Sequence, residues 1–311
     1  MKIDKFEQMN MFSMMYDQYK ITKPIRLIEL FAGIGSQAKA LKGLGADFQH
    51  YKVVEFDKYA IASYNAIHGT NFATSDITKI HASDLEIVDT DKYEYIMTYS
   101  FPCQDLSLCG KGKGMQKGSG TRSGLLWEVE RLLDECEELP QILLMENVPQ
   151  VHSEDNMPDF RNWQNKLEIL GYTNYWQDLN AKDYGIPQNR NRCFMISILG
   201  QYYYEFPKPF KLELRLKDML EFEVDEKYYL SDKMIEYITN SNKKYTGNNY
   251  HSFINKDIAS TINTGEGSRR CDSSNFICED LPVNYDLKLL IKEATKKNYA
   301  YANLLQKNVG V

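Results

Sequence analysis

The sequence predicts an α/β protein with a doubly wound, mainly parallel sheet and a smaller C-terminal lobe. Strand-like runs alternate with amphipathic helical segments from residue 25 to about residue 200. The run at 140–145 is apolar almost throughout, as in strands buried on both faces. The alternation stops after Leu199, where Tyr, Lys and Asn become frequent. The expected parts are an N-terminal extension at 1–24, a main domain at 25–200 and the lobe at 201–311.

Composition sets limits on what kind of protein this is. The 311 residues are 43% hydrophobic and 26% charged, which is typical of a globular chain. The net charge of −6 argues against indiscriminate nucleic-acid binding but allows a local basic face. We expect no membrane partner, since no apolar run approaches a bilayer span. The six cysteines form no CxxC pair, so we expect a cytoplasmic protein with neither a disulfide framework nor a metal site.

The first predicted strand, 26–31, leads into a glycine turn that is typical of nucleotide-like ligands. The turn Ala32-Gly33-Ile34-Gly35 is followed by a predicted helix at 36–44, whose free amides would face the ligand. A second predicted strand, at 51–57, carries Glu55 about 20 residues after the turn. At this distance from such a turn, a carboxylate accepts hydrogen bonds from ribose hydroxyls. The alternatives are a glycine turn used for geometry alone and a solvated Glu55.

The next elements lead to a candidate nucleophile. We expect a helix at 59–68, a short strand at 71–77 and a buried strand at 94–100 that runs into Pro102-Cys103. A cysteine after a buried strand is either a nucleophile or a small buried hydrophobe. The Gly-rich loop behind it is predicted to be mobile and to contact phosphate, because it carries four cations and no acid: Lys111, Lys113, Lys117 and Arg122. A surface loop without function is the alternative.

A second candidate side chain, Glu146, ends the apolar run at 140–145. Predicted helices at 123–137 and 159–171 flank that strand, and further strands follow at 173–181 and 193–199. In a doubly wound sheet, ligands lie at the carboxyl ends of the strands. Cys103 and Glu146 both fall there, which predicts a common site.

Four motifs in order resemble the cytosine-C5 DNA methyltransferases, the S-adenosylmethionine-dependent enzymes of restriction-modification systems and phages. They are Phe31-Ala32-Gly33-Ile34-Gly35, Pro102-Cys103, Glu146-Asn147-Val148 and Gln188-Asn189-Arg190-Asn191-Arg192. The resemblance covers residues 25–200. It implies a Rossmann-like, S-adenosylmethionine-binding catalytic domain there and a target recognition lobe for duplex DNA at 201–311.

The resemblance also implies roles for individual residues. Cys103 would attack C6 of a flipped-out cytosine, Glu146 would lie near N3, and Arg192 would lie near O2 with support from Arg190. A structural ion pair is the alternative for Glu146 and Arg192, and a turn or cap residue is the alternative for Asp76. The implied cofactor residues are Phe31, Ala32, Gly33, Gly35, Glu55, Asp76, Ile77 and Pro102. The implied nucleic-acid contacts are Gln104, Ser107, Lys111, Lys113 and Arg122.

The C-terminal part departs from the family pattern. Members continue beyond the lobe with a Gly-Asn motif whose helix closes the cofactor pocket, and this chain shows no such motif near its end. We therefore expect a truncated or split enzyme that needs a second polypeptide and that alone binds S-adenosylmethionine weakly. The alternatives are a non-catalytic remnant that binds DNA or a partner, and a tRNA cytosine methyltransferase.

Overall fold

The computed structural model describes residues 15–106, 114–221, 223–226, 229–231, 255–262, 275 and 277. The nucleic-acid candidates Ser107, Lys111 and Lys113 lie outside this part, as do 233–245 and 287–297, two segments whose sequence pattern also predicts helices. The chain divides into two compact units. The first is Met1–Leu179 with Asn191–Pro207, and the second is Asn180–Arg190 with Lys208–Val311.

The first unit is built on a six-stranded mixed sheet. Its strands are β1 (Ile25–Leu30), β2 (Phe48–Val54), β3 (Glu94–Tyr99), β4 (Ile142–Asn147), β5 (Tyr172–Asn180) and β6 (Asn191–Leu199). They lie in the order β2-β1-β3-β4-β6-β5. The β2-β1-β3-β4 pairings are parallel, whereas β6 is antiparallel to β4. The predicted mainly parallel α/β sheet is confirmed.

Helices cover both faces of this sheet. They are α1 (Ser36–Gly43), α2 (Lys58–His68), α3 (Ala82–Leu85), α4 (Leu126–Glu135) and α5 (Met157–Ile169). The core alternates with the two-residue period of the strands: Met97 packs with α4 and α5, whereas Ile96 packs with Ala38 of α1. Within the described ranges, no helix is long and apolar enough to cross a membrane.

The parallel register brings three strands to one edge of the sheet. Leu30 of β1 lies opposite Tyr99 of β3, and Tyr99 lies opposite Met145 of β4. Since Leu30 and Tyr99 are the last residues of their strands, the segments that follow leave the sheet at the same level. The glycine turn, the Pro102-Cys103 loop and Glu146 are therefore neighbours by topology.

The expected short strand at 71–77 is wrong. The segment is irregular, because the side chain of Asn65 takes the hydrogen bonds that a strand would need. The Asn65 amide donates to the carbonyl of Phe72 at 2.8 Å, and its oxygen accepts from the Phe72 N–H at 2.9 Å. Ser75 adds one backbone bond to the carbonyl of Glu55 at 2.8 Å.

The described half of the Gly-rich loop contributes to the core, although its composition of glycines and polar residues predicts a loop that buries nothing. Met115 is fully buried, and its carbonyl accepts a hydrogen bond from the Trp127 indole at 2.7 Å. One apolar residue within a polar stretch is therefore enough to anchor this half of the loop.

The glycine turn after β1 rests on a buried polar chain. Gly35 has φ +82°, and a Cβ there would lie 2.6 Å from the Tyr64 ring and would also overlap His68. The Tyr64 hydroxyl donates to the carboxylate of Glu29 at 2.5 Å. The other Glu29 oxygen accepts from the N–H of Ala38 in α1 at 3.2 Å. Glu29 thus joins β1, α1 and α2 beneath the turn.

Replacing Gly35 by Ala should destabilise the protein more than the same change at Gly45. Both glycines have positive φ, which costs Ala roughly 1–2 kcal/mol. Only Gly35 also faces an overlap, which adds about 1–3 kcal/mol. Urea unfolding of both variants measures the difference, and equal losses would show that Tyr64 and His68 move aside freely.

Glu29→Gln should change how stability depends on pH. Burial raises the pKa of Glu29 above its ordinary value of 4.5, although bonds from Tyr64 and Ala38 oppose the shift. A carboxyl whose pKa is raised on folding favours the folded state at low pH, and this contribution is lost as pH rises through the folded pKa. The free energy of unfolding of the wild type, relative to Glu29→Gln, should therefore fall as pH rises above about 4.5.

Chemical denaturation from pH 4 to pH 8 measures this difference. Glu168→Gln, an exposed change on α5, is the control and should show no such trend. A wild-type advantage that grows with pH would mean that Glu29 is better stabilised as the anion.

Candidate active site

A buried asparagine ties the two catalytic candidates of the central strands together. Asn147, at the end of β4, is 2% exposed and donates from Nδ2 to the carbonyl of Phe101 at 3.0 Å. Its Oδ1 accepts from the N–H of Val148 at 2.8 Å. The loop that carries Cys103 is thereby fixed to the strand that carries Glu146.

Cys103 lies half-buried in a held turn. Its thiol is free, and its carbonyl accepts from the N–H of Leu106 at 3.1 Å. The preceding residue, Pro102, is held by the Ser123 hydroxyl, which donates to its carbonyl at 2.6 Å. A thiol on a constrained turn that solvent reaches meets the geometric needs of a nucleophile.

Glu146 and Arg192, which the resemblance places around one base, are in direct contact. Antiparallel pairing sets Glu146 opposite Phe194. Arg192 lies two residues before Phe194 on β6, and its side chain extends along the strand to the carboxylate. Arg192 Nε lies 3.0 Å from Glu146 Oε1, and the side chains are 17% and 21% exposed. This contact is the ion pair that the sequence left as the structural alternative. The catalytic roles of both residues stay predictions.

The turn and the acid of the predicted cofactor site are in direct contact. The N–H of Gly33 donates to Glu55 Oε2 at 2.8 Å, and the N–H of Asp57 donates to Oε1 at 2.7 Å. Each carboxylate oxygen has two lone pairs, so one on each remains for a diol. These contacts fix the carboxylate and leave an acceptor on each oxygen, so Glu55 fits the hydroxyl pair of an adenosyl group.

Phe56 was not singled out from the sequence. It directly follows Glu55 and is 77% exposed, which is unusual for a phenylalanine. The usable signal is an aromatic residue immediately after the acid at a strand end. An exposed ring in this position offers a stacking surface for a base.

The remaining cofactor candidates line the same strand edge. Phe31 adopts φ +57° and packs on the core, and Ala32 is buried. Asp76 forms a turn, since its Oδ1 accepts from the Thr78 N–H at 3.0 Å and from the Thr78 hydroxyl at 2.8 Å. These bonds hold the pKa of Asp76 below its ordinary value. The neighbouring Ile77 is buried.

The cations of the described loop contact the protein itself. Arg122 Nη1 donates to Oε1 of the exposed Gln104, and the Arg122 N–H donates to Asp105 Oδ2 at 2.8 Å. Lys117 pairs with Glu130 at 2.6 Å. In this conformation, Gln104 and Arg122 bind each other, and their predicted DNA contacts stay untested.

Arg190 belongs to the second unit, although it is two residues from Arg192. Its N–H donates to Asn180 Oδ1 at 3.0 Å, and its Nη1 lies 3.4 Å from the carbonyl of Ile262. The N–H of the preceding Asn189 donates to the carbonyl of Ala259 at 2.8 Å. Within its own unit, Arg190 therefore joins 180–190 to the segment at 255–262.

Comparison with known proteins identifies the family. The sequence model of the C-5 cytosine-specific DNA methylase family matches residues 25–308. The orphan methyltransferase M.SssI of Spiroplasma monobiae is 36% identical, with 75% of this chain and 74% of that protein covered. The type II methyltransferase M.HhaI of Haemophilus parahaemolyticus is 34% identical, with coverages of 71% and 64%.

A solved structure supports the fold independently. The Dnmt2 methyltransferase of S. pombe superposes with a TM-score of 0.67 at 20% identity, with 87% of this chain and 81% of that one covered. These comparisons give no support to the expected second polypeptide. The chain therefore belongs to the family of C-5 cytosine-specific DNA methylases and is an enzyme of that family.

Proposed function

We propose that this protein transfers a methyl group from S-adenosylmethionine to C5 of cytosine in duplex DNA, through a covalent bond between Cys103 and C6. The observation that carries the proposal is the Asn147 contact, which holds the Cys103 loop beside the strand of the Glu146–Arg192 pair. Its relatives M.SssI and M.HhaI are named as orphan and type II methyltransferases. The description of the matching family, C-5 cytosine-specific DNA methylase, favours DNA over tRNA as the substrate.

The chemistry needs a nucleophile because C5 of cytosine is unreactive. The Cys103 thiolate adds to C6, and the electron pair of the C5–C6 double bond becomes available at C5 to take the methyl group. The C5 proton then leaves to a base, the double bond re-forms, and the sulfur departs from C6. Since the reacting base lies inside a duplex, it must first flip out of the helix.

Glu146 and Arg192 stabilise the ring during this addition. Negative charge develops on the pyrimidine as sulfur adds, and a proton at N3 with a cation at O2 offsets it. A guanidinium has five N–H donors. The two contacts that the structure gives for Arg192 use one donor for Glu146 and one for the carbonyl of Asn191. Arg192 can therefore keep Glu146 in place while it donates to the base.

The cofactor site is assigned to the edge formed by β1 and β2. S-adenosylmethionine supplies the methyl group when it is bound. Glu55 accepts hydrogen bonds from the ribose hydroxyls. Gly33 and Gly35 let the backbone come close to the bound cofactor. Phe56 and Ile77 offer apolar surface to the adenine, and Asp76 accepts from its amino group. Phe31, Ala32 and Pro102 complete the lining.

The second unit is assigned to target recognition. We infer that this lobe reads the DNA sequence, with Arg190 securing the segment at 180–190. Gln104, Ser107, Lys111, Lys113 and Arg122 contact the DNA around the flipped base. A DNA substrate agrees with the cytoplasmic setting that is predicted from the absence of CxxC pairs in the sequence.

Cys103→Ser should lower the rate of methyl transfer to DNA by roughly a thousandfold or more. Without the nucleophile, the other catalytic side chains have no covalent adduct to stabilise. Labelled methyl transfer to duplex DNA and to tRNA measures it. Cys136→Ser, a change of another thiol of the first unit, is the control and should retain activity. If the wild type transferred methyl groups to tRNA alone, the protein would be a tRNA cytosine methyltransferase. If the wild type bound DNA without transferring methyl groups, it would be a non-catalytic DNA-binding protein.

Glu55→Gln should weaken S-adenosylmethionine binding by about tenfold or more, because loss of a charged acceptor of hydrogen bonds costs about 1.5–3 kcal/mol. Isothermal titration calorimetry of the isolated chain measures the dissociation constant. The exposed Glu137→Gln is the control and should bind as the wild type does. Unchanged affinity in Glu55→Gln would show that the ribose does not bind to Glu55 at the end of β2.

A further inference from the structure

Three metal-ligating side chains meet behind the catalytic candidates. His152 ends the 3₁₀ segment Pro149–His152, Asp178 lies in β5 and Cys193 lies in β6. His152 Nε2 lies 2.9 Å from Asp178 Oδ1, and all three potential ligand atoms lie within 4.8 Å of one another. We propose that His152, Asp178 and Cys193 form a binding site for a divalent metal ion of the zinc type.

The spacing is close to what zinc needs. Bonds of about 2.0–2.3 Å in tetrahedral geometry put ligand atoms roughly 3.4–3.7 Å apart. The His152–Asp178 contact would open by about half an ångström, and the separations to Cys193, which are at most 4.8 Å, would close by no more than about one. His152 and Asp178 are 22% and 31% exposed and have room to adjust, whereas Cys193 is fully buried and fixes the site.

The charges suit a dication. One thiolate, one carboxylate and one neutral imidazole give a formally neutral complex with Zn²⁺, as a half-buried site requires. Burial raises the pKa of the Cys193 thiol, and the negative charges of Asp178 and Glu146 raise it further. The Asp178 carboxylate attracts a cation as well, whereas the Glu146 carboxylate is already paired with Arg192. When the metal binds, the thiol proton leaves to solvent and a sulfur–metal bond replaces the S–H bond.

Three protein ligands leave a fourth tetrahedral position. Because His152 and Asp178 are partly exposed, that position is open to water. The sequence predicted no metal site because it has no CxxC pair. The three ligands instead come from distant parts of the chain that β5 and β6 bring together. None of the three residues is assigned a role in methyl transfer, although Cys193 directly follows Arg192 on β6.

Titration of the full-length, metal-free chain with Co²⁺ tests the proposal, because a cobalt–thiolate bond produces a charge-transfer absorption. One equivalent should generate the band in the wild type. Cys193→Ser should abolish the band and weaken binding by more than about 100-fold, since even outer residues of metal sites contribute 10–100-fold. His152→Gln and Asp178→Asn should weaken binding while the variants stay folded by circular dichroism.

Two thiols of the same unit serve as controls. Cys103→Ser and Cys136→Ser should both keep the band. Because the Cys193 proton must leave, the wild-type dissociation constant should fall about tenfold for each unit of pH rise. A band that survives in Cys193→Ser, or one that Cys103→Ser removes, would overturn the proposal. So would a wild type without the band, which would leave the cluster as a hydrogen-bonded relay.

Discussion

The in-register parallel pairing of β1, β3 and β4 is the constraint on which the site depends. It ends the first two strands at one level, so that the segments after them share one edge of the sheet. Asn147 converts this topological proximity into a fixed contact through its bond to the carbonyl of Phe101. Because the acceptor is the main-chain carbonyl of Phe101, this bond does not depend on the side chain at position 101. The position of the Cys103 turn relative to β4 is thus set by one side chain, Asn147, and one main-chain carbonyl.

Local patterns predicted much of this architecture. The alternation of apolar runs and amphipathic helices is set by burial within each element, and it gave the six strands and the main helices correctly. The convergence of Glu55 with Gly33 followed from the strand–turn–helix pattern. The meeting of Glu146 with Arg192 followed from the family motifs and not from spacing.

What could not be predicted depends on contacts between distant residues. The segment at 71–77 has strand-like composition, but one side chain, Asn65, captures its backbone groups. The cluster of His152, Asp178 and Cys193 exists only because β5 lies beside β6. The spacing of apolar residues along the sequence does not show which strands are neighbours. Met115 shows the same effect in a loop, since its burial depends on Trp127 in a later helix.

The described cations near Cys103 contact groups of the protein. The Arg122 guanidinium donates to Gln104, the Arg122 main-chain N–H donates to Asp105, and Lys117 forms an ion pair with Glu130. A phosphate that contacts these side chains must therefore compete with a local carboxylate or amide. This competition lowers the intrinsic attraction to any polyanion and leaves selectivity to contacts made by the correct target.

The antiparallel direction of β6 has a consequence for how such proteins diversify. Arg192 is positioned by the ladder between β6 and β4, whereas the residues just before it, 180–190, belong to the other unit. Substitutions in 180–190 can therefore alter the second unit while the ladder keeps the Arg192 side chain beside Glu146.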